Sequence, residues 1–349
     1  MIEKAEKYFY TPHLIGGGLD AQILHLTRYL QVALAMKRIP VITNEFSSPK
    51  HRLHKSNKEV LVDLRRYIDF SKTEIFQLKS SGEIEQACTF QYIHEQDFDF
   101  ASYSEDQIRY IDYTQIFDEK NENYPLVCML SSEYIQGQKK IPELGVRLHS
   151  GLNIDFTLNY LLVFTPSKLV NNLTDVVLNC FGTTRKDMRL LSRILYEFPN
   201  LKCGDMGFYY EGLNYYACMH VRYMGAVQEA LMGIRKSSEL SKYVQRVVKT
   251  VYARNHKSMP LYIMSNIMDD NYFNFLKPKY DVYRYTDFEE LREQFSGKEE
   301  VDHNLLYAVE CNIMRHAAVR VFPTYRNLFI FEYPWLHTMN TFERIFNVT

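Results

Sequence analysis

The chain has 349 residues, with 41 Lys and Arg against 42 Asp and Glu. That length strains a single hydrophobic core, so two domains of roughly 150 to 200 residues are expected, with the gap between them as the natural ligand site. Balanced charge supplies no field to hold a polyanion, and the aromatic residues are not interleaved with Lys and Arg, which argues against nucleic acid as a partner.

Leu14 to Thr43 opens with Gly16-Gly17-Gly18, and Ile23, Leu26, Leu30, Ala33 and Leu34 follow at helical spacing. Ile39-Pro40-Val41-Ile42 then reads as a short buried strand. Bare glycine at the head of a helix is either a tight turn or a cradle for a ligand. The basic run Lys50-His51-Arg52-Leu53-His54-Lys55 reads as a solvated loop. Residues 50 to 125, polar and rich in Tyr, Asp and Glu, are expected to form surface segments and peripheral helices.

Residues 153 to 162 are apolar, and Phe164-Thr165-Pro166-Ser167 is expected to start a helix, with Thr165 or Ser167 as its cap and Pro166 in its first turn. Residues 189 to 198 form another amphipathic stretch. Composition shifts near residue 200, which sets the expected domains at 1–195 and 196–349. The second half then alternates: strand 215–221, helices 227–234 and 239–252, strand 261–264, strand 281–284, helix 287–295, helix 303–316 and strand 319–322. This rhythm predicts an α/β fold with a parallel sheet, and ligands on such sheets bind beyond the carboxyl ends of the strands.

Six cysteines, Cys88, Cys128, Cys180, Cys203, Cys218 and Cys311, are widely spaced without a CxxC pair or a His at metal-ligand spacing, so free thiols are expected. No apolar window reaches the ~18 residues of a membrane span, and Met1 to Lys7 lacks the apolar core of a secretory signal. The expected location is cytoplasmic, or the lumen of the secretory pathway if an anchor has been trimmed. Asn172-Leu173-Thr174 and Asn347-Val348-Thr349 fit the glycosylation pattern but read as chance matches.

Three segments offer polar groups that suit an anion. Gly16 to Gly18 expose backbone N–H groups at the positive end of a helix. In His220-Val221-Arg222, residues two apart on a strand share a face, so His220 stands beside Arg222, whose planar fork suits phosphate oxygens; a surface ion pair is the alternative. Pro323-Thr324-Tyr325 ends a strand and adds backbone donors and a hydroxyl.

Five segments in order resemble the GDP-fucose protein O-fucosyltransferase superfamily, especially its plant-type branch. They are the Gly16-Gly17-Gly18-Leu19-Asp20 entry with its helix and strand, Phe164 to Val170, Ala217 to Tyr223 with its H-x-R, Leu261 to Ser265, and Val321 to Tyr325. The resemblance spans about 310 residues, and only the H-x-R and PTY segments are at all specific alone.

The resemblance implies a GT-B glycosyltransferase, two Rossmann-like domains facing a central cleft, that inverts the sugar's configuration and needs no metal or cofactor. It implies transfer from the nucleotide sugar GDP-fucose to a protein or glycan acceptor (O-fucosylation, within fucose metabolism). Carried over, Arg222 binds the β-phosphate with His220 beside it, Pro323, Thr324 and Tyr325 line the phosphates, and Glu310 lies near the base. Gly16, Gly17 and Gly18 then approach donor and acceptor. Asp20 stands where the family has Asn, and reads as a general base or a helix cap. Tyr223-Met224-Gly225-Ala226 lacks the family's acidic residue, and Arg326-Asn327 replaces its usual DGN. Asp205 and Glu211 are further acceptor-side carboxylates. These departures leave two alternatives: a GT-B transferase using another nucleotide sugar, and a silent relative that binds glycan or protein.

Overall fold

In a computed structural model, the described residues are 6–11, 19–43, 45–47, 61–78, 84–88, 91–112, 115–129, 160–188, 190, 214–221, 237–254, 259–265, 267, 269, 271–296 and 302–321. They fall into two compact units, the first ending at Ser167 and the second beginning at Lys168. The division comes earlier in the chain than the expected 195/196. Its physical basis is the helix at Lys168–Cys180, whose Thr174 accepts a 2.9 Å hydrogen bond from Asn312 of the second unit.

The first unit holds β1 (Tyr8–Tyr10), α1 (Leu19–Ala35), β2 (Ile39–Ile42), β3 (Glu45–Ser47), β4 (Leu61–Asp63), β5 (Ile68–Leu78), β6 (Ile84–Cys88), β7 (Ile93–His94), β8 (Ile108–Ile111), β9 (Leu126–Met129) and β10 (Tyr160–Pro166). Its main sheet is parallel throughout, in the order β7-β2-β1-β9-β8. Ile23, Leu26, Leu30 and Ala33 of α1 are fully buried, as their spacing predicts. Tyr29 of the same helix stacks on Phe9, and its hydroxyl lies within hydrogen-bond distance of the carbonyls of Phe9 (2.5 Å) and Val41 (2.8 Å), either of which can take its proton. The helix closes through Lys37 at φ 54, a left-handed position usually given to glycine. On the other face, Tyr8, Val41, Leu126 and Cys128 pack under Phe98, Phe100 and Tyr103, so a run of aromatic turns does the work of a helix.

Arg38 ties the amino ends of these strands together. It is 5% exposed, and its guanidinium donates to the carbonyls of Tyr8, Asn121, Tyr124 and Pro125. Much of the stretch expected to be peripheral helix is instead strand: β10-β5-β6 form an antiparallel sheet and β3-β4 a ribbon. Pro166 ends β10 rather than opening a helix, and Ser167, in the cap position, donates its hydroxyl to the Arg66 carbonyl at 2.6 Å.

The second unit holds α2 (Lys168–Cys180), β11 (Ala217–Val221), α3 (Ser237–Arg254), β12 (Leu261–Ser265), β13 (Val282–Tyr283), α4 (Glu289–Phe295), α5 (His303–His316) and β14 (Val319–Val321). Its sheet is parallel in the order β13-β12-β11-β14. Ala217, Met219, Val221, Leu261 and Ile263 pack on Val244, Val247, Val248 and Val251 of α3. Each of those valines contributes about 1.5 to 3 kcal/mol by leaving water. Alternation sends Cys218, His220, Tyr262 and Met264 to the opposite face, where Tyr216 donates to the Ile313 carbonyl of α5 at 2.6 Å. Gly182 closes α2 at φ +68, and a Cβ there would stand 2.6 Å from Asn214 Nδ2. The expected helix at 227–234 lies outside the described residues, as does nearly all of 189–198.

Candidate functional site

Both parallel sheets reverse direction once. In the second unit the chain steps from β11 to β12 to β13 and then returns to place β14 on the free side of β11. In the first unit it steps from β1 to β2 to β7, while β9 lies on the other side of β1. Crossover loops leave such a switch point in opposite directions, which opens a crevice at the carboxyl ends of the two strands. The sequence-predicted segments follow these strands. His220 lies in β11, and Arg222 comes next after its last residue. Pro323-Thr324-Tyr325 begins two residues after β14 ends, and Gly16 to Gly18 lie between β1 and α1. Arg222, Pro323, Thr324, Tyr325 and Gly16 to Gly18 lie outside the described residues.

His220 is 7% exposed and pairs in register with Met264. Its face is the one turned to α5. The end of β11 is held by Ser265, the last residue of β12. Its hydroxyl donates to the Val221 carbonyl at 2.6 Å and accepts from the Ile267 N–H at 3.1 Å. Beyond it, Arg284, 2% exposed, donates to the carbonyls of Ile267 (2.8 Å) and Asp269 (3.1 Å) and stacks over Phe273 and Tyr285. Sequence reasoning singled out neither side chain for a role. Nothing in an Arg after a two-residue strand, or a Ser ending an apolar one, marks it as a strut for a neighbouring loop.

Glu310, expected beside a nucleotide base, lies on α5 and is 3% exposed. The Tyr262 hydroxyl donates to its carboxyl at 3.2 Å. Burial pushes its pKa up to about 8, against the opposing pull of Arg284 and of the Tyr262 hydrogen bond. Its carboxyl therefore holds a proton over much of the neutral range, inside the layer that carries Cys218 and Tyr262. Burial, reinforced by Glu310, also raises the Cys218 thiol. Asp20 is the second residue of α1, within its first turn. Asp205 and Glu211 lie outside the described residues.

Among the described residues, no group of three or more His, Cys, Asp or Glu side chains is placed to hold a metal ion, and Cys128, Cys180, Cys218 and Cys311 are free thiols. No described helix is long and apolar enough to cross a membrane.

No protein-family model matches the chain, and no curated protein matches it. Solved structures similar to it include POFUT1 in complex with GDP-fucose, at 10% identity and a TM-score of 0.45 over 98% of this chain and 94% of that one. NodZ alpha-1,6-fucosyltransferase soaked with GDP-fucose is similar at 10% identity and a TM-score of 0.42, over 98% and 93%. Fucosyltransferase NodZ from Bradyrhizobium is similar at 10% identity and a TM-score of 0.36, over 97% and 92%.

Proposed function

We propose that the chain is a GT-B glycosyltransferase that moves fucose from GDP-fucose to a hydroxyl of a protein or glycan, with inversion and without a metal. The supporting observation is topological: in the sequence Arg222 of H-x-R and the PTY segment come after β11 and β14, the adjacent parallel strands that flank a switch point. Strands so paired run ~4.8 Å apart, close enough for both segments to reach one diphosphate.

In this reading Arg222 meets the β-phosphate as the anomeric bond breaks. The departing nucleoside diphosphate gains negative charge, and a guanidinium already aimed there stabilises the transition state by several kcal/mol. His220 and the Pro323-Thr324-Tyr325 segment add donors, and Gly16 to Gly18 bring bare backbone to donor and acceptor. Ser265 and Arg284 brace the strand end and loop on the neighbouring strand. Glu310 of α5, buried and committed to Tyr262, supports the base side only indirectly, by tying its helix to β12. Asp20 belongs to the acceptor side, and the proposed location is cytoplasmic.

Thermal melting with GDP, UDP, ADP and CDP tests the donor class: GDP is expected to raise the midpoint most. Arg222→Ala is expected to lower release of GDP from GDP-fucose by about 1000-fold with the melting temperature of the free protein kept. A stable chain whose melting no nucleotide alters would overturn the reading.

A second reading, a silent relative that binds a glycan or protein, draws on Tyr223-Met224-Gly225-Ala226, where the family's acidic residue is missing. Turnover of any nucleotide sugar excludes it. A preference for UDP in the melting series instead marks a transferase with another donor.

A further inference from the structure

One hydroxyl holds the carboxyl end of β11. Val221, the last residue of that strand, pairs in register with Ser265, the last residue of β12. Ser265 is 7% exposed, and its hydroxyl both donates, to the Val221 carbonyl at 2.6 Å, and accepts, from the Ile267 N–H at 3.1 Å. The Val221 carbonyl belongs to the peptide unit that joins Val221 to the next residue in the sequence, Arg222. A peptide unit is planar, so a bond that fixes its oxygen also sets the direction in which the chain leaves the strand. Leu261, Tyr262, Ile263 and Met264 already bury β12 in its sheet, so a hydroxyl at its end adds direction rather than burial.

The hydroxyl is itself held from behind, within the same unit. Arg284 donates to the carbonyls of Ile267 at 2.8 Å and Asp269 at 3.1 Å, and Asp269 Oδ1 accepts from the Asn271 N–H at 2.9 Å. The Arg284 guanidinium carbon lies 5.2 Å from the centre of the Phe273 ring and 5.5 Å from that of Tyr285. Fixed hydrogen bonds thus run from the Arg284 fork through the Ile267 peptide and the Ser265 hydroxyl to the peptide unit that leads into Arg222.

We propose that Ser265 is a positioning residue for Arg222, with Arg284 anchoring the loop that orients its hydroxyl. The proposal rests on the glycosyltransferase reading, in which Arg222 meets the charge that grows on the leaving diphosphate. An interaction realised as charge develops depends on aim, so a misplaced guanidinium slows turnover more than it weakens binding of the intact donor.

The test follows GDP release from GDP-fucose in water by the full-length chain, with thermal melting alongside. Ser265→Ala removes one oxygen and is expected to lower kcat about tenfold while KM stays within about threefold of the parent. Ser265→Thr keeps the hydroxyl and is expected to hold kcat within about threefold of the parent. Arg284→Lys, which loses the planar fork, is expected to lose about threefold. Placed in an Arg222→Ala chain, Ser265→Ala and Arg284→Lys are each expected to cost no further rate, because no guanidinium is left to aim. Their effects on melting temperature are expected to be the same in both backgrounds, since those report the loop alone. A tenfold loss that Ser265→Ala repeats in the Arg222→Ala chain would overturn the assignment, as would a Ser265→Ala kcat within about twofold of the parent. If the parent chain neither releases GDP nor responds to it in melting, the transferase reading and this assignment fall together. A parent that turns over beside an unimpaired Ser265→Ala variant removes the assignment alone.

Discussion

The two units solve the same problem, a parallel sheet with both faces covered, and place their polar groups differently. The first keeps them at the ends of the strands: Arg38 gathers four carbonyls at the amino ends, and Tyr10 with Glu95 stands at the carboxyl ends. The second buries them within a layer, with Glu310, Asn312 and His316 of α5 and the nearby Arg284 all below 5% exposed. A buried carboxyl or guanidinium is costly unless its partners are fixed, and here Tyr262 meets Glu310 while the carbonyls of Ile267 and Asp269 meet Arg284.

The largest expected effect on stability comes from removing the gathered carbonyls' donor. Arg38→Ala should cost about 3 kcal/mol, read as a fall in the urea midpoint, because it strips hydrogen bonds from several carbonyls at once. A loss under about 1 kcal/mol would mean that water replaces the guanidinium and that the amino-end clamp is not structural.

The buried layer should show itself through pH. Glu310 has a raised folded-state pKa, about 8, so the folded chain holds more protons than the unfolded one between the usual carboxylate value and that point. This contribution is complete below the unfolded pKa and is lost as pH rises through 8. Urea midpoints at pH 5, 6.5 and 8 should therefore fall with pH by a margin on the order of 2 kcal/mol, and Glu310→Gln should flatten that fall. An equal slope in both proteins would place the ionised carboxylate in a solvated site.

The smallest effect compares two helix ends. Lys37 and Gly182 close α1 and α2 in the same left-handed region, with φ 54 and 68. Lys37→Gly should stabilise the chain by about 0.5 to 1 kcal/mol in thermal melting. Gly182→Ala should destabilise it by more, since the added Cβ meets Asn214. Loss of stability in Lys37→Gly would show that the lysine stem packs on its surroundings more than its backbone is strained.

Elements with one strong period were readable from the chain alone. The helix of residues 303–316 and the strand at 261–264 match the structure within a residue, because α5 has a cap at Asp302 and β12 is a run of buried apolar residues between turns. Residues 61 to 88 were not readable as strands. β5 mixes Asp, Ser, Lys and Glu into its alternation, and its pairing with β10 joins residues more than eighty positions apart. The glycine, H-x-R and PTY segments stood out by composition. Tyr10 with Glu95, Ser265 and Arg284 did not, because each acquires its partner only when distant strands lie side by side.

Local chemistry written in the chain determined where the strongly periodic helices and strands lie, which of their residues face a core, and which short segments suit an anion. Strand order, the two switch points, the burial of Glu310 against Tyr262 and the meeting of Tyr10 with Glu95 were decided by tertiary structure alone. The physical reason is that periodicity records which side of an element avoids water, whereas the identity of the neighbour across a sheet depends on how all the elements share one volume.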